Sequence, residues 1–388
     1  MIELRANWSF PTKIWFGAGR IAELPAACRE LGISRPLLVT DTGLAQSAMV
    51  ESALASCRGA GVNCGLYADV RGNPVEDNVN GGVRAYRDGG HDGVIALGGG
   101  SALDAAKAVA LMVGQSRPIW DFEDREDWWT RADAAAIAPV IAVPTTAGTG
   151  SEVGRAAVIT DGRDHTKKII FHPRLMPGVV ISDPELTLGL PPQVTAATGM
   201  DALSHNLEAY CAPAFHPLAA GIALEGTRLI RDWLPVAVRD GANLEARAHM
   251  LAAASMGATA FQRGLGAMHS LSHPCGALLD THHGLTNAVV MPYVLLFNRQ
   301  AIERQLTALA RYLDLPSPCG HAVVEWVLGL RAEIGIPHTL AELGVSLEMI
   351  PQLARMAAVD PSAAGNPVPL TEVNLAALYR KAIAGSLS

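Results

Sequence analysis

Between residues 35 and 185, short uninterrupted apolar runs recur at 36–40, 94–97, 140–143 and 179–181, separated by turns and Ala-rich stretches of helical period. Runs with no alternating polar face are strands buried on both sides, and strands of that kind spaced by helices build a parallel α/β sheet. Beyond about residue 190 the pattern changes. Apolar positions at helical spacing fill 193–210, 217–238, 244–262, 320–334 and 371–384, broken by Gly or Pro. The reading is an α/β N-terminal domain with a parallel, Rossmann-like sheet over 1–188 and an all-α C-terminal domain over 189–388. Segment 120–133, crowded with Trp, Asp, Glu and Arg between an Ala-rich helix and a strand, is expected to be a solvated charged loop.

A length of 388 residues suits two cores better than one, and 49% hydrophobic with 17% charged residues describes a chain that folds on its own. The formal charge of −7 is spread without long runs, so there is no basic footprint for nucleic acid and no basic stripe for a membrane surface. The first nine residues include Glu3, Arg5 and Asn7 in place of a signal peptide's apolar core, and Lys107 interrupts the longest apolar run. A soluble, cytoplasmic protein with a small-molecule partner is expected. Cys28, Cys57, Cys64, Cys211, Cys275 and Cys319 form no C-x-x-C pair, which favours buried free thiols over disulfides or a thiolate zinc site. Segment 8–16 and a sheet edge would otherwise be exposed strand, so a homodimer or higher homo-oligomer is expected.

The strand at 94–97 runs into Gly98-Gly-Gly-Ser101 and then Asp104-Ala-Ala-Lys107. Glycines let a backbone approach a pyrophosphate closely, and the amides of a first helical turn present a positive dipole end to it. A second loop, Pro144-Thr-Thr-Ala-Gly-Thr-Gly-Ser-Glu152, follows another strand and offers hydroxyls at the same carboxyl edge. Asp41 ends a third strand, where a carboxylate accepts from a ribose diol and repels a 2′-phosphate. These features favour NAD over NADP; a plain turn would also explain Asp41.

Asp201 and His205 stand four apart in a helical segment, on one face, at a spacing that one cation can bridge. His269, His273, His282 and His283 crowd within 15 residues among Gly264, Gly266, Gly276 and Gly284. One carboxylate with two or three imidazoles suits Fe(II) or Zn(II), and spacing chooses neither the metal nor among the four histidines.

Together, Gly98-Gly-Gly-Ser-x-x-Asp-x-Ala-Lys107, Pro144-Thr-Thr-Ala-Gly-Thr-Gly-Ser-Glu-Val153, Asp183-Pro-Glu-Leu-Thr187, Gly199-Met-Asp-Ala-Leu-Ser-His205, His269-Ser-Leu-Ser-His273 and His283-Gly284 resemble the iron-containing (group III) alcohol dehydrogenases over nearly the whole chain. The resemblance implies a dehydroquinate synthase-like architecture and a metal- and NAD(P)-linked oxidoreductase that interconverts a small primary alcohol and its aldehyde. It implies Asp201, His205, His269 and His283 as metal ligands, with His273 as a neighbouring proton relay. It further implies Asp41, Gly98, Gly99, Ser101, Asp104, Thr145, Thr146, Thr149 and Lys167 as cofactor contacts. The chain departs from the family pattern at Arg155, often a small or uncharged residue, and at Val368, where Arg is common. Arg155 can clamp a carboxylate, which fits a hydroxy acid such as 4-hydroxybutyrate or its semialdehyde, whereas an ion pair with a local Asp or Glu would leave it structural. A rival reading on the same architecture is an NAD-using sugar-phosphate cyclase. That chemistry needs Lys and Arg for a phosphate, and residues 264–287 contain neither.

Overall fold

A computed structural model describes Phe10, residues 12–163 and residues 166–387. The chain divides into two compact units, one from Phe10 to Leu188 and one from Gly189 onward.

In the first unit, strands β1 (Lys13–Phe16), β2 (Pro36–Asp41), β3 (Gly65–Val70), β4 (Gly93–Gly98), β5 (Val140–Pro144) and β8 (Val179–Ser182) form a parallel sheet of order β1-β8-β5-β4-β2-β3. The apolar runs at 36–40, 94–97, 140–143 and 179–181 lie within β2, β4, β5 and β8. Their alternate residues supply two different cores, as a sheet covered on both faces requires. Leu38, Ile95, Leu97, Ile141, Val143, Val179 and Ile181 pack with α1 (Leu24–Glu30) and α2 (Ala48–Gly59). Leu37, Val39, Val94, Ala96, Val140, Ala142 and Val180 pack with Leu103, Ala105, Ala106 and Ala110 of α4 (Gly100–Met112). Each buried Leu or Ile contributes about 1.5–3 kcal/mol relative to exposure.

Helix α3 (Glu76–Asp88) leads from β3 to β4, across β2, so the winding direction reverses between β2 and β4. The carboxyl ends of strands at such a reversal leave a crevice between diverging loops. An antiparallel hairpin, β6 (Ala156–Asp161) and β7 (Thr166–Phe171), is inserted between β5 and β8. Segment 120–133 departs in part from the solvated loop expected of it. Residues 124–127 are exposed, but Phe122 is fully buried with Ile159 and Ile170 of the hairpin, and Trp120 Nε1 donates to Glu76 at 2.9 Å.

The second unit is built on α5 (Pro192–Cys211), α6 (Pro217–Arg239), α7 (Leu244–Ala260), α8 (Ala267–Leu279), α9 (His283–Tyr312), α10 (Gly320–Glu333), α11 (Ile350–Ala358) and α12 (Glu372–Ala384). Helix α5 is buried at every position from Thr195 to Cys211 and packs against α6, α7 and α9. Small residues make this approach feasible. A Cβ on Gly199 would meet Leu234 of α6 at 2.2 Å, and one on Gly257 of α7 would meet Asn206 at 2.7 Å. Among the described residues, no helix is long and apolar enough to cross a membrane.

Candidate active site

In the α/β unit, β5, β4 and β2 are neighbours, so the loops at their carboxyl ends meet. Gly98 has φ +144°, and a Cβ there would lie 2.7 Å from Ala102 Cβ and 3.1 Å from Asp41 Oδ2. A Cβ on Gly100 would come within 2.8 Å of Thr149 Oγ1, and one on Gly99 within 3.4 Å of Thr146. The Thr145 N–H donates to the Gly98 carbonyl at 3.0 Å, joining the two loops directly. Helix α4 starts at this point with no side-chain cap, so its first-turn amides and the half-buried Ser101 are available to an anion. Asp41 divides its two oxygens. Oδ1 accepts from the N–H groups of Gly43 (2.9 Å) and Leu44 (3.1 Å), the turn role, while Oδ2 faces Gly98. The two loops and Asp41 thus bring free backbone amides, hydroxyls and one carboxylate oxygen together at the carboxyl edge of the sheet.

Three other sequence candidates in this unit are engaged in different ways. Asp104 accepts from the Ser151 hydroxyl and from Val158 N–H (3.1 Å), so its carboxylate is committed to the protein's own framework. Lys168 donates to Asp161 at 2.5 Å and lies 5.1 Å from the Trp120 ring centre; Lys167, the preceding residue of the strand, points to the opposite face of the hairpin. Arg155 is half-buried at the base of the hairpin, its guanidinium 5.5 Å from the Phe171 ring centre and close enough to Asp124 to oppose the upward push of burial on that carboxyl.

In the helical unit, Asp201, His205, His269 and His283 converge, each offering a ligand atom, and these atoms all lie within 4.8 Å of one another. Asp201 and His205 come from α5, His269 from the first turn of α8 and His283 from the first residue of α9. Gly284 permits the last of these approaches, because a Cβ there would stand 2.4 Å from the Ala197 carbonyl oxygen and 2.8 Å from Asp201 Cβ. Three of the four residues are almost fully buried: Asp201 is 2% exposed, His205 4% and His269 2%. Polar groups this deep are costly without partners, and a metal ion is a partner that these four ligand atoms can hold. Of the four histidines among which spacing does not choose, His269 and His283 lie in the cluster. His282 is the N-cap of α9, with Nδ1 accepting from Leu285 N–H at 3.4 Å, and stands outside the cluster.

Residues that the sequence reading did not name hold the cluster in place. Glu208, one turn beyond His205 on the Asp201 face of α5, accepts from Gly266 N–H (2.9 Å), Met268 N–H (2.6 Å) and His269 Nδ1 (2.6 Å). A carboxylate surrounded by donors obliges His269 Nδ1 to carry its proton and leaves the Nε2 lone pair for the site. Burial opposes a charge on His269, but Glu208, Asp201 and Asp360 outweigh it and raise its pKa. The Asn287 amide donates to Asp201 Oδ1 at 2.9 Å, and Ser272 Oγ lies 3.2 Å from His283 Nδ1. His273 stacks on His283, ring centres 5.2 Å apart, and its Nδ1 is 2.8 Å from Asp360 Oδ2. Burial would raise the Asp360 pKa; the charge of His273 and hydrogen bonds from His273 and Ser362 bring it below the ordinary value.

Comparison with known proteins agrees with this geometry. Residues 11–184 match the family model for iron-containing alcohol dehydrogenase, and residues 195–383 the model for the C-terminal part of the Fe-containing alcohol dehydrogenase family. A 4-hydroxybutyrate dehydrogenase of Cupriavidus necator is 41% identical, covering 92% of this chain and 94% of that protein. An NAD-dependent methanol dehydrogenase of Bacillus methanolicus is 33% identical, covering 97% and 100%. The crystal structure of a 1,3-propanediol oxidoreductase superposes with a TM-score of 0.93 at 33% identity, covering 98% and 100%. The sugar-phosphate cyclase reading is not favoured by these matches. The chain belongs to the iron-containing alcohol dehydrogenase family, whose members are oxidoreductases that interconvert alcohols and aldehydes.

Proposed function

We propose that the chain is an NAD-linked, iron-dependent alcohol dehydrogenase, cytoplasmic and homo-oligomeric, that acts on small primary alcohols and aldehydes and prefers ω-hydroxy acids of the 4-hydroxybutyrate type. The observation that carries the proposal is the convergence of Asp201, His205, His269 and His283 in one cluster of ligand atoms, the first three of them buried. These four would hold Fe(II); their donor set of one carboxylate and three imidazoles also suits Zn(II). When bound, the metal would supply Lewis acidity and NAD would supply a hydride acceptor.

The remaining work falls to the chain's own groups. Glu208 fixes the His269 tautomer, and Asn287 orients Asp201. Asp360 holds His273 through Nδ1, which leaves Nε2 to receive the alcohol's proton and pass it outward. The first-turn amides of α4, with Gly98, Gly99 and Ser101, receive the pyrophosphate, while Thr145, Thr146 and Thr149 line the adjacent loop. Asp41 accepts from the ribose diol through Oδ2, and Lys167 reaches the ribose or phosphates from the hairpin side. Asp104 stands behind these residues, its oxygens accepting from the Ser151 hydroxyl and Val158 N–H.

Support for the substrate class comes from the 41% identity to a 4-hydroxybutyrate dehydrogenase and from Arg155 as a candidate carboxylate clamp. The test is NADH formation by anaerobically iron-loaded protein with primary alcohols, diols and 4-hydroxybutyrate, with a chelated control. Chelator-sensitive turnover with a higher kcat/KM for 4-hydroxybutyrate than for 1,3-propanediol is the expected result. Arg155→Ala should cut that preference about tenfold or more, the worth of a charge-assisted hydrogen bond. Wild-type protein that favours the diol would overturn the substrate class, and no turnover despite bound metal and NAD would overturn the proposal as a whole.

His273→Ala provides a separate check on the proton path. With metal content unchanged, the variant should lose a limb of the pH profile of kcat and slow by about a hundredfold, the lower range for general acid–base groups. A profile identical to wild type would take His273 out of that path.

A further inference from the structure

Lys107 follows the glycine turn by two turns of α4, yet its side chain is 1% exposed. Its Nζ donates to the carbonyl oxygens of Ser151, at 2.9 Å, and Ala156, and lies 3.4 Å from Asp104 Oδ1. All three ammonium protons therefore have acceptors within the protein, and none is left for a phosphate. Asp104, one turn earlier on the same helix, completes the arrangement by accepting from the Ser151 hydroxyl and from Val158 N–H at 3.1 Å. Burial lowers the Lys107 pKa, while Asp104 and then Glu152 act to restore it.

The bonds converge on one short piece of backbone. Ser151 is gripped by its carbonyl and by its hydroxyl, and its N–H donates to Thr149 Oγ1 at 3.4 Å. Thr149 in turn packs so closely on Gly100 that a Cβ there would come within 2.5 Å of its Cγ2. A continuous series of contacts thus runs from the buried ammonium through Ser151 and Thr149 to the first residue of α4, where the uncapped amides lie.

We infer that Lys107, together with Asp104, is a positioning residue for dinucleotide binding. It fixes the far end of loop 145–151 so that Thr149 sits against the glycine turn, and it touches no part of the ligand itself. The inference rests on the NAD reading of the cradle. A lysine near a glycine-rich turn would ordinarily be taken for a phosphate contact, and its committed donors argue against that here.

Lys107→Met keeps an unbranched apolar stem and removes the ammonium with every donor. Fluorescence titration of the metal-loaded variant with NADH should show Kd raised about tenfold or more, because two buried carbonyls and a carboxylate lose their partner. KM for NAD should rise in parallel, with kcat at saturating NAD and bound metal per chain kept close to wild type. Ser151→Ala leaves the Lys107 bonds to the two carbonyls in place and removes only the hydroxyl bond to Asp104; it should give a smaller rise in the same direction, and it decides the matter if Lys107→Met does not fold. Unchanged NADH affinity in the folded variant would overturn the inference, as would a loss confined to kcat. Wild-type protein without affinity for NADH would remove the cofactor reading, and this inference with it.

Discussion

Asp201→Asn is expected to yield a folded chain that does not retain iron through desalting and that oxidises alcohols slower by on the order of a thousandfold or more, since a Lewis-acid metal contributes several kcal/mol to the barrier. The physical case is the charge balance of the cluster. Asp201 is the carboxylate among four ligand atoms that lie within 4.8 Å of one another, and it is only 2% exposed, so its negative charge is poorly screened. Its amide analogue has nearly the same volume and shape, which spares the packing of α5 against α9 while discarding the charge that offsets a dication. The measurement is iron per chain by elemental analysis after gel filtration, with NADH formation and the thermal midpoint of the metal-free protein alongside. Glu208→Gln provides the scale below it. The glutamine disturbs the Nδ1 bond of His269 without removing a ligand, and second-layer partners of this kind are worth about 10- to 100-fold in metal affinity. Asp201→Asn protein with full iron and a near-normal rate would show that the four residues are not the metal's holders.

Much of the arrangement could be read from the chain because the signals were local. The strands β2, β4, β5 and β8 announce themselves as apolar runs, since each is buried on both faces. Strands β1 and β3 lie at the sheet edges, carry exposed positions and show no such run. The β6–β7 hairpin is less legible because its short apolar stretches are interrupted by Thr160, Asp161, Thr166, Lys167 and Lys168. In the helical half, α8 and α9 were hidden by the glycines and prolines around the histidines, although Gly284 is the residue that lets His283 reach Asp201. Segment 120–133 looked wholly solvated because its charges outnumber Phe122, which is buried against the hairpin. Glu208 did leave a trace. It falls seven residues after Asp201, on the same helical face, where a buried acid needs a purpose. Asp360 left none, for its partner His273 is 87 residues away and nothing local connects them. The role of Asp104 turned on which neighbours its two oxygens had, and a motif cannot report that.

Gly98→Ala should raise the Kd for NADH by about tenfold to a hundredfold and lower the stability of the metal-free protein by about 1–3 kcal/mol, the cost of holding a side chain in a conformation that L-residues rarely adopt. The backbone at Gly98 has φ +144°, and the added methyl would meet Ala102 Cβ at 2.7 Å and Asp41 Oδ2 at 3.1 Å. Relaxation is restricted on both sides. The Gly98 carbonyl is held by Thr145 N–H at 3.0 Å, and the residue ends a strand paired on each side, by β5 and β2. The chain must therefore displace either the first turn of α4, whose amides are the proposed pyrophosphate site, or Asp41, the proposed ribose partner. Gly99→Ala is the control that separates strain from contact. Gly99 has an ordinary φ of −77°, and its new methyl would meet Thr146 no closer than 3.4 Å, so its backbone accepts the change. If Gly98→Ala weakens NADH binding and also lowers the thermal midpoint while Gly99→Ala affects only binding, the pyrophosphate lies against Gly99 and Gly98 serves the turn. If both variants bind NADH as wild type does, the dinucleotide does not use this turn, and the α/β unit's ligand must be sought elsewhere along the carboxyl edge of the sheet.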